Sequence, residues 1–251
     1  MPMKGVIVAA GQGSRLRPLT NDCPKPLLKV RGRPLIDYTI EAFASAGIKE
    51  LAVVIKRKGG KLHCYLRDRW NHGSDVTCLP NHLHARGNAT SVLAARAFIG
   101  EEPFLLAMAD HLIAPQIPAA LLSHPVDAHA LCVDRAAQSG PALLDATKVW
   151  LDWQGHVLCI GKRLQRWKAV DCGVFLFQPR VFRHIQDILD LATGRCSITR
   201  LVRHLVACGD PVHTVDVSGA FWMDVDTPED LRRARAVLPR RGALALPGSL
   251  P

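Results

Sequence analysis

The chain is short of acidic side chains. Only 22 Asp and Glu stand against 32 Lys and Arg, a formal charge of +10, and such a surplus favours anionic partners. The marks of a simple nucleic-acid binder are missing too. Basic residues are scattered, only Arg232, Arg233 and Arg235 form a tight group, and there is neither an aromatic-interleaved basic run nor zinc-finger spacing. Nucleic acid is the bland reading of the surplus, but a nucleoside triphosphate and a phosphorylated small molecule would explain it as well, and no nucleic-acid partner is expected. None of the eight cysteines forms a Cys-x-x-Cys pair, and the eleven histidines show no metal-ligand spacing. Most of the cysteines fall in apolar patterns, where the free thiol acts as a small hydrophobe. No signal peptide, long apolar span, internal repeat or interdomain linker is read. The expectation is one domain over 1–238, not membrane-spanning, in a reducing cytoplasm. Residues 239–251, rich in Pro, Gly and Ala, are expected to form a flexible tail.

The most informative stretch is Gly5 to Lys29, GVIVAAGQGSRLRPLTNDCPKPLLK. Val6 to Ala10 form an unbroken apolar run, which reads as a strand buried on both faces. Gly11 and Gly13 allow a tight turn and close approach of a ligand. Ser14, Arg15 and Arg17 follow, so exposed N–H groups and guanidinium groups make an anion site. Lys25 is stiffened by Pro24 and Pro26. A dinucleotide-binding turn would need a small residue where Leu16 stands, and Pro18 would cut its helix short. A Walker loop would need Gly-Lys-Ser/Thr, which does not follow. The pattern G-x-G-x-R with a later Pro-Lys-Pro resembles the sugar-phosphate nucleotidyltransferases. The bland alternative is a tight strand-to-helix turn with solvated arginines.

Further along, strand and helix patterns alternate. Pro34–Ala46, Lys61–Trp70 and Ala89–Ile99 read as helices, the last capped by Asn88. Leu51–Ile55, Val76–Leu79 and Phe104–Ala109 read as strands, which predicts a mostly parallel sheet with helices on both faces. In the loop Pro80–Asn88, Gly87 permits a flat ligand to approach, though on the residues alone an ordinary loop and cap is the favoured reading. Asp110 ends an apolar strand, where it can hold a hard cation or cap a turn marked by His111 and Pro115. Ala146–Trp153 and His156–Ile160 read as a hairpin bracketed by Lys148 and Lys162. Val170–Phe177 is a strand with Gly173 inside, which suggests close approach by a ligand or a second backbone. Asp224 ends another apolar run. Asp226 or Thr227 caps the helix starting at Pro228, so Asp224 is the better metal candidate.

The resemblance widens with PKPLLKV, RGNATSVLAAR, LLAMADH, DATKV, the IGK ending at Lys162, VDCGVFLF and FWMDVDTPEDL. Together they resemble the CTP:inositol-1-phosphate cytidylyltransferases, within the nucleotidyltransferases of the glycosyltransferase-A-like Rossmann fold. The resemblance implies a single-domain, Rossmann-like α/β fold with a mixed, mostly parallel sheet and a small β-hairpin near the acceptor site. It implies that Ala10, Gly11, Gly13 and Ser14 cradle the triphosphate, with Arg15 and Lys25 at the reacting phosphates. By the same resemblance, Gly87 and Asn88 are expected beside the base and ribose, Asp110 and Asp224 are expected to hold magnesium (Mg2+), and Lys148, Lys162, Asp171 and Gly173 are expected to surround the acceptor, with Lys162 on its phosphate. Relatives usually carry Thr where this chain has Cys172, which implies a hydroxyl lost near the acceptor.

The implied reaction joins CTP and inositol 1-phosphate into CDP-inositol and pyrophosphate. Other acceptors (phosphocholine, an aminoalkylphosphonate, a hexose 1-phosphate) stay open, as does an inactive nucleotide-sugar sensor. The intact set Arg15, Lys25, Asp110 and Asp224 argues against the sensor. Inositol enzymes of this type are often fused to a membrane phosphotransferase. No such domain is read here, so the product is expected to feed a separate one. Arg15 and Lys25 are both expected to be exposed in a cleft, and Asp110 and Asp224 to converge on one ion.

Overall fold

The computed structural model describes residues 3–57, 60–70, 75–125, 127–137, 143, 145–191 and 195–238; the tail expected over 239–251 lies outside them. The first half of the chain supplies β1 (Lys4–Val8), β2 (Lys29–Val30), β3 (Arg33–Pro34), α1 (Leu35–Ser45), β4 (Glu50–Ile55), α2 (Lys61–Trp70) and β5 (Asp75–Pro80). Two short helices, α3 (Thr90–Ala94) and α4 (Arg96–Ile99), lead to β6 (Phe104–Met108), β7 (His111–Ile113) and α5 (Gln116–Leu122). Then come β8 (His129–Asp134), β9 (Lys148–Leu151), β10 (Val157–Gly161) and β11 (Ala169–Phe177). The chain closes through α6 (Val181–Asp190), α7 (Ile198–Ala207), β12 (Val212–Asp216), β13 (Trp222–Asp224) and α8 (Pro228–Val237).

Val6 and Ile7 are fully buried, as a strand covered on both faces requires. β1 pairs in parallel with β4 on one side and β6 on the other, and β4 pairs in parallel with β5. This is the doubly wound part of the sheet. Beyond β6 the sheet turns antiparallel, through β11. The nine residues of β11 pair antiparallel with β6 and β9 along one edge and with β8 along the other. The expected hairpin is β9–β10, with Val157 opposite Leu151 and Gly161 opposite Lys148. Helices cover both faces. α1, α2 and α5 bury Ile40, Phe43, Leu66 and Ile117 against one face, while α6 and α7 bury Ile185, Leu201 and Leu205 against the other. α8 closes a third apolar cluster, in which Leu231 and Ala234 meet Leu16, Leu35 and Leu112.

Three local readings change. The helix expected over Ala89–Ile99 is two short pieces, since the Ala95 N–H bonds back to Val92 at i−3 rather than at i−4. Asn88 is not its cap: Asn88 Oδ1 accepts from the Ile198 N–H, 3.0 Å away, at the start of α7. The turn expected at His111 is strand β7, paired antiparallel with β13. That ribbon brings the segment around Asp224 and Asp226 beside the loop that follows β6. No described helix is long and apolar enough to cross a membrane.

Candidate active site

β1 and β6 lie side by side with Val8 opposite Met108, so the loops leaving their carboxyl ends share one crevice. The β1 loop carries Gly11 to Arg15, and the β6 loop carries Asp110. In the β7–β13 ribbon Asp224 stands opposite His111, and the Val225 N–H donates to the Asp110 carbonyl over 3.0 Å. Asp226 therefore arrives at the same crevice. It is not a helix cap. Thr227 is the N-cap of α8, in a reciprocal capping box with Asp230, and that leaves the Asp226 carboxylate free to face the crevice.

Lys25 is buried, not exposed as expected, with 7 % of its surface accessible. Its Nζ donates to Asp110 Oδ2 and Asp226 Oδ1, each at 2.6 Å. Gly13 makes this possible. At φ +62° it takes a left-handed turn, and a Cβ there would stand 2.9 Å from Lys25 Cβ. Burial opposes the Lys25 charge, but Asp110 and Asp226 outweigh it and raise its pKa. Burial likewise opposes ionisation of Asp110, yet Lys25 and His111 hold that carboxyl far below the usual range.

Arg15 is half exposed. It donates from Nη2 to Asp226 Oδ2 at 2.6 Å and from Nη1 to Asp145, which also takes Lys162 Nζ at 2.8 Å. On the other side, His111 Nδ1 lies 3.1 Å from Asp110 Oδ1, and its Nε2 meets Asp224. Burial works against an imidazolium here, but Asp224 and Asp110 prevail and lift the His111 pKa well above its ordinary value. The groups thus alternate in sign along one line: Lys162, Asp145, Arg15, Asp226, Lys25, Asp110, His111, Asp224.

The line borders two cavities. A cleft of about 430 Å³ is lined by Ala10, Gly11, Gly13, Ser14, Arg15, Lys25, Gly87, Asn88, Asp110 and Asp226. It gathers every residue expected at the nucleotide. Among the described residues, a Cβ on Gly11 would find nothing within 4 Å, so the side chain missing there leaves open space. Gly87 differs: what approaches it is the Cys196 backbone, whose carbonyl oxygen would be 2.2 Å from a Cβ. The second cavity, about 370 Å³, shares Asp226 and is lined by Asp145, Phe221, Trp222, Asp224, Asp230 and Arg233 among others.

The residues expected at the acceptor divide. Lys162 reaches the second cavity through Asp145, and Lys148 Nζ donates to the Lys162 carbonyl at 3.1 Å. Asp171 and Gly173 line neither cavity. Gly173, at φ +74°, leaves room for an imidazole, since a Cβ would stand 2.5 Å from His111 Nε2. The Gly173 N–H donates to Asp171 Oδ1 at 2.7 Å, but burial still pushes the Asp171 carboxyl up to about 7. Cys172 is fully buried in the apolar core, because alternate residues of a strand face opposite ways. The hydroxyl expected to be lost near the acceptor is therefore not missing from either cavity wall.

Sequence reasoning did not place Asp145 or His111 in the site, and it set Asp226 aside as a helix cap. All three lie inside segments that carried the resemblance, DATKV, LLAMADH and FWMDVDTPEDL. Their signal was an acidic or imidazole group beside a residue already chosen, and the capping explanation for Asp226 hid it.

A sequence profile described as nucleotidyl transferase matches residues 4–138. The chain belongs to that family. Among curated relatives of this nucleotidyl transferase, the bifunctional IPC transferase and DIPP synthase of Aquifex aeolicus is 33% identical over 93% of the chain and 51% of the relative. The protein of the same name from Rubrobacter xylanophilus is 36% identical over 90% of the chain and 50% of the relative. The chain thus spans about half the length of these relatives. The solved inositol-1-phosphate CTP transferase of T. maritima superposes with a TM-score of 0.82 at 22% identity, covering 94% of this chain and 95% of that one. That likeness establishes the shared Rossmann-like fold.

Proposed function

We propose that the chain transfers a cytidylyl group from CTP to inositol 1-phosphate, giving CDP-inositol and pyrophosphate. The observation that carries this reading is the line of alternating charge along the two cavities. Arg15 and Lys162 are held by carboxylates at the surface, where the phosphates of two substrates can replace those carboxylates. The names of the longer relatives and of the T. maritima neighbour favour CTP and inositol 1-phosphate among possible substrates.

In the proposed reaction an oxygen of the acceptor phosphate attacks the α-phosphorus of CTP in line. A P–O bond forms as the bond to pyrophosphate breaks, and no covalent enzyme intermediate is needed. The Gly11–Ser14 loop orients the triphosphate. Arg15 and Lys25 take up charge on the departing pyrophosphate, and Lys162 offsets the charge of the attacking phosphate. Magnesium fits this site. Asp110 and Asp226 offer hard oxygens that already converge on one cationic atom, Lys25 Nζ, at 2.6 Å each. Asp224, the ligand expected from sequence, faces His111 instead. A bound Mg2+ would supply charge neutralisation at the phosphates.

The second cavity fits a polyol, since its carboxylates can accept hydroxyl protons. A second reading rests on the same walls. Phe221 and Trp222 with Asp224, Glu229 and Asp230 also form an aromatic and acidic enclosure of the kind a quaternary ammonium seeks. Pyrophosphate release with CTP against inositol 1-phosphate, phosphocholine and glucose 1-phosphate separates them. CDP-inositol as the fastest product supports the proposal. Faster CDP-choline moves the substrate assignment to the second reading, and no release with any acceptor removes the enzyme reading.

A further inference from the structure

On the face of the sheet covered by α6 and α7, away from the line of charge, three side chains meet that the transfer reaction does not use. One ring nitrogen each of His184 and His204 and the sulfur of Cys208 lie within 4.8 Å of one another. Cys208 caps the end of α7, one turn beyond His204, with His204 Nε2 and Cys208 Sγ 3.6 Å apart. His184 comes across from α6, its ring 5.4 Å from that of His204 at 73°. We propose that this cluster is a binding site for a divalent cation of the zinc class, formed by His184, His204 and Cys208.

The His184 ring supplies an independent sign. Its Nε2 faces Asp210 Oδ2 at 3.3 Å, while its Nδ1 is buried and has no hydrogen-bond partner among the described residues. A buried polar nitrogen left unpaired is costly. One imidazole nitrogen against a carboxylate, the other free, is how metal-bound histidines are oriented. Asp210 is itself fixed by Arg180, through Nε at 2.8 Å and Nη2 at 2.9 Å, and by His129 at 3.1 Å. Zinc bonds of the usual length in a tetrahedral site set ligand atoms roughly 3.3–3.8 Å apart, so adjustments within one rotamer well close the gap. Two imidazoles and a thiolate suit zinc and not magnesium, which selects oxygen. Cys208 is exposed, which gives the ion a way in. The fourth position falls to water or to Asp187, whose Oδ2 is 3.8 Å from His204 Nε2. Binding releases the Cys208 proton to solvent and ties α6 to α7. The first turn of α7 holds Asn88 of the cleft wall, so the clip steadies that wall from behind.

The test uses the whole chain, stripped with chelator and titrated with Zn2+ against a chromophoric indicator. Excess Mg2+ is present to occupy hard carboxylate sites. One zinc per chain with micromolar or tighter affinity is expected, together with a zinc-dependent rise in Tm. Co2+ in its place should show a thiolate-to-metal charge-transfer band. Cys208→Ser should abolish the band, and His204→Ala should weaken zinc binding at least 100-fold; neither should lower the metal-free Tm appreciably. His213→Ala, in a separate cluster with His124 and His156, should bind as wild type does. No saturable zinc site, or a site that survives both Cys208→Ser and His204→Ala, overturns the proposal. So does a site lost in His213→Ala.

Discussion

Asp226 and Asp210 each gather several nitrogen groups, yet the two clusters stand in unlike surroundings. Asp210 takes Arg180 through two nitrogens and faces His129 and His184, with 12 % of its side chain exposed. Protein groups surround it on every side that these contacts define. Asp226 takes Arg15 and Lys25 with 21 % exposed, and in front of it lies the cleft. Both carboxylates pair with an arginine. What differs is whether a ligand can enter and trade partners. Around Asp210 the charges join β8, α6 and the start of β12. Around Asp226 they hold Arg15 and Lys25 where anionic substrates arrive.

The largest effect should separate the clusters by activity. Lys25→Ala should slow turnover by on the order of 10²–10³, about 3–4 kcal/mol in the barrier, as loss of a preorganised charge does. It should also cost about 3 kcal/mol of stability, because Asp110 and Asp226 then face each other without their cation. Denaturant unfolding and pyrophosphate release read both; near-normal turnover in folded variant protein would sink the phosphate role.

Asp210→Ala should give the opposite pattern, with a stability loss of about 3 kcal/mol and kcat of the folded fraction close to wild type. A large fall in kcat with unchanged stability would erase the distinction between the clusters.

The Asp210 cluster should also show itself in pH. Burial presses the His129 pKa down to about 4, although Asp210 opposes this, while Arg180 and His184 add to the depression. The Gln178 N–H donates to His129 Nδ1 at 3.2 Å, so the proton of the neutral ring sits on Nε2, toward Asp210. The unfolded chain therefore binds a proton that the folded chain refuses between the unfolded value and about 4. Stability rises with pH through that window and falls as pH drops through it, by at most about 3 kcal/mol. Unfolding in chelator at stepped pH measures this, and His129→Gln should flatten the profile. An unchanged slope in that variant refutes the assignment.

Arg15→Ala should slow turnover by about 2 kcal/mol in the barrier, with stability changed by less than about 0.5 kcal/mol because the side chain is half exposed. The smallest effect sharpens the comparison most. Gly11→Ala fills space that is open to the cleft, so it should leave Tm unchanged and raise the KM for nucleotide. Gly13→Ala should instead lose stability by about 1–2 kcal/mol, from the left-handed φ and the contact with Lys25. Equal Tm losses in the two variants would show that Gly11 also serves the fold.

Much of the fold was legible because its signals are local. The apolar run before Gly11, the helical pattern of Lys61–Trp70, the Gln154–Gly155 turn and the Thr227 cap each reside within a few neighbouring residues. The nucleotide side of the site was legible for the same reason, since Gly11 to Lys25 is one continuous stretch. The acceptor side was harder. Asp171 and Gly173 share a strand with Cys172, but which of them meets a cavity depends on what packs against β11. The answer is His111, from β7.

By its own pattern, then, the sequence determined the strand-to-loop elements, the cationic groups Arg15 and Lys25, and the family to which they belong. Tertiary structure alone decided their partners. The β7–β13 ribbon carries Asp226 to Lys25, and Asp145 joins Arg15 to Lys162 from the start of the hairpin. Likewise His204 and Cys208 became a possible metal site only when α6 brought His184 beside them. The physical reason is common to these cases. Helix and strand propensities act over a few residues, whereas charge pairs and metal ligands are chosen by distance in space, which β pairing and helix packing set.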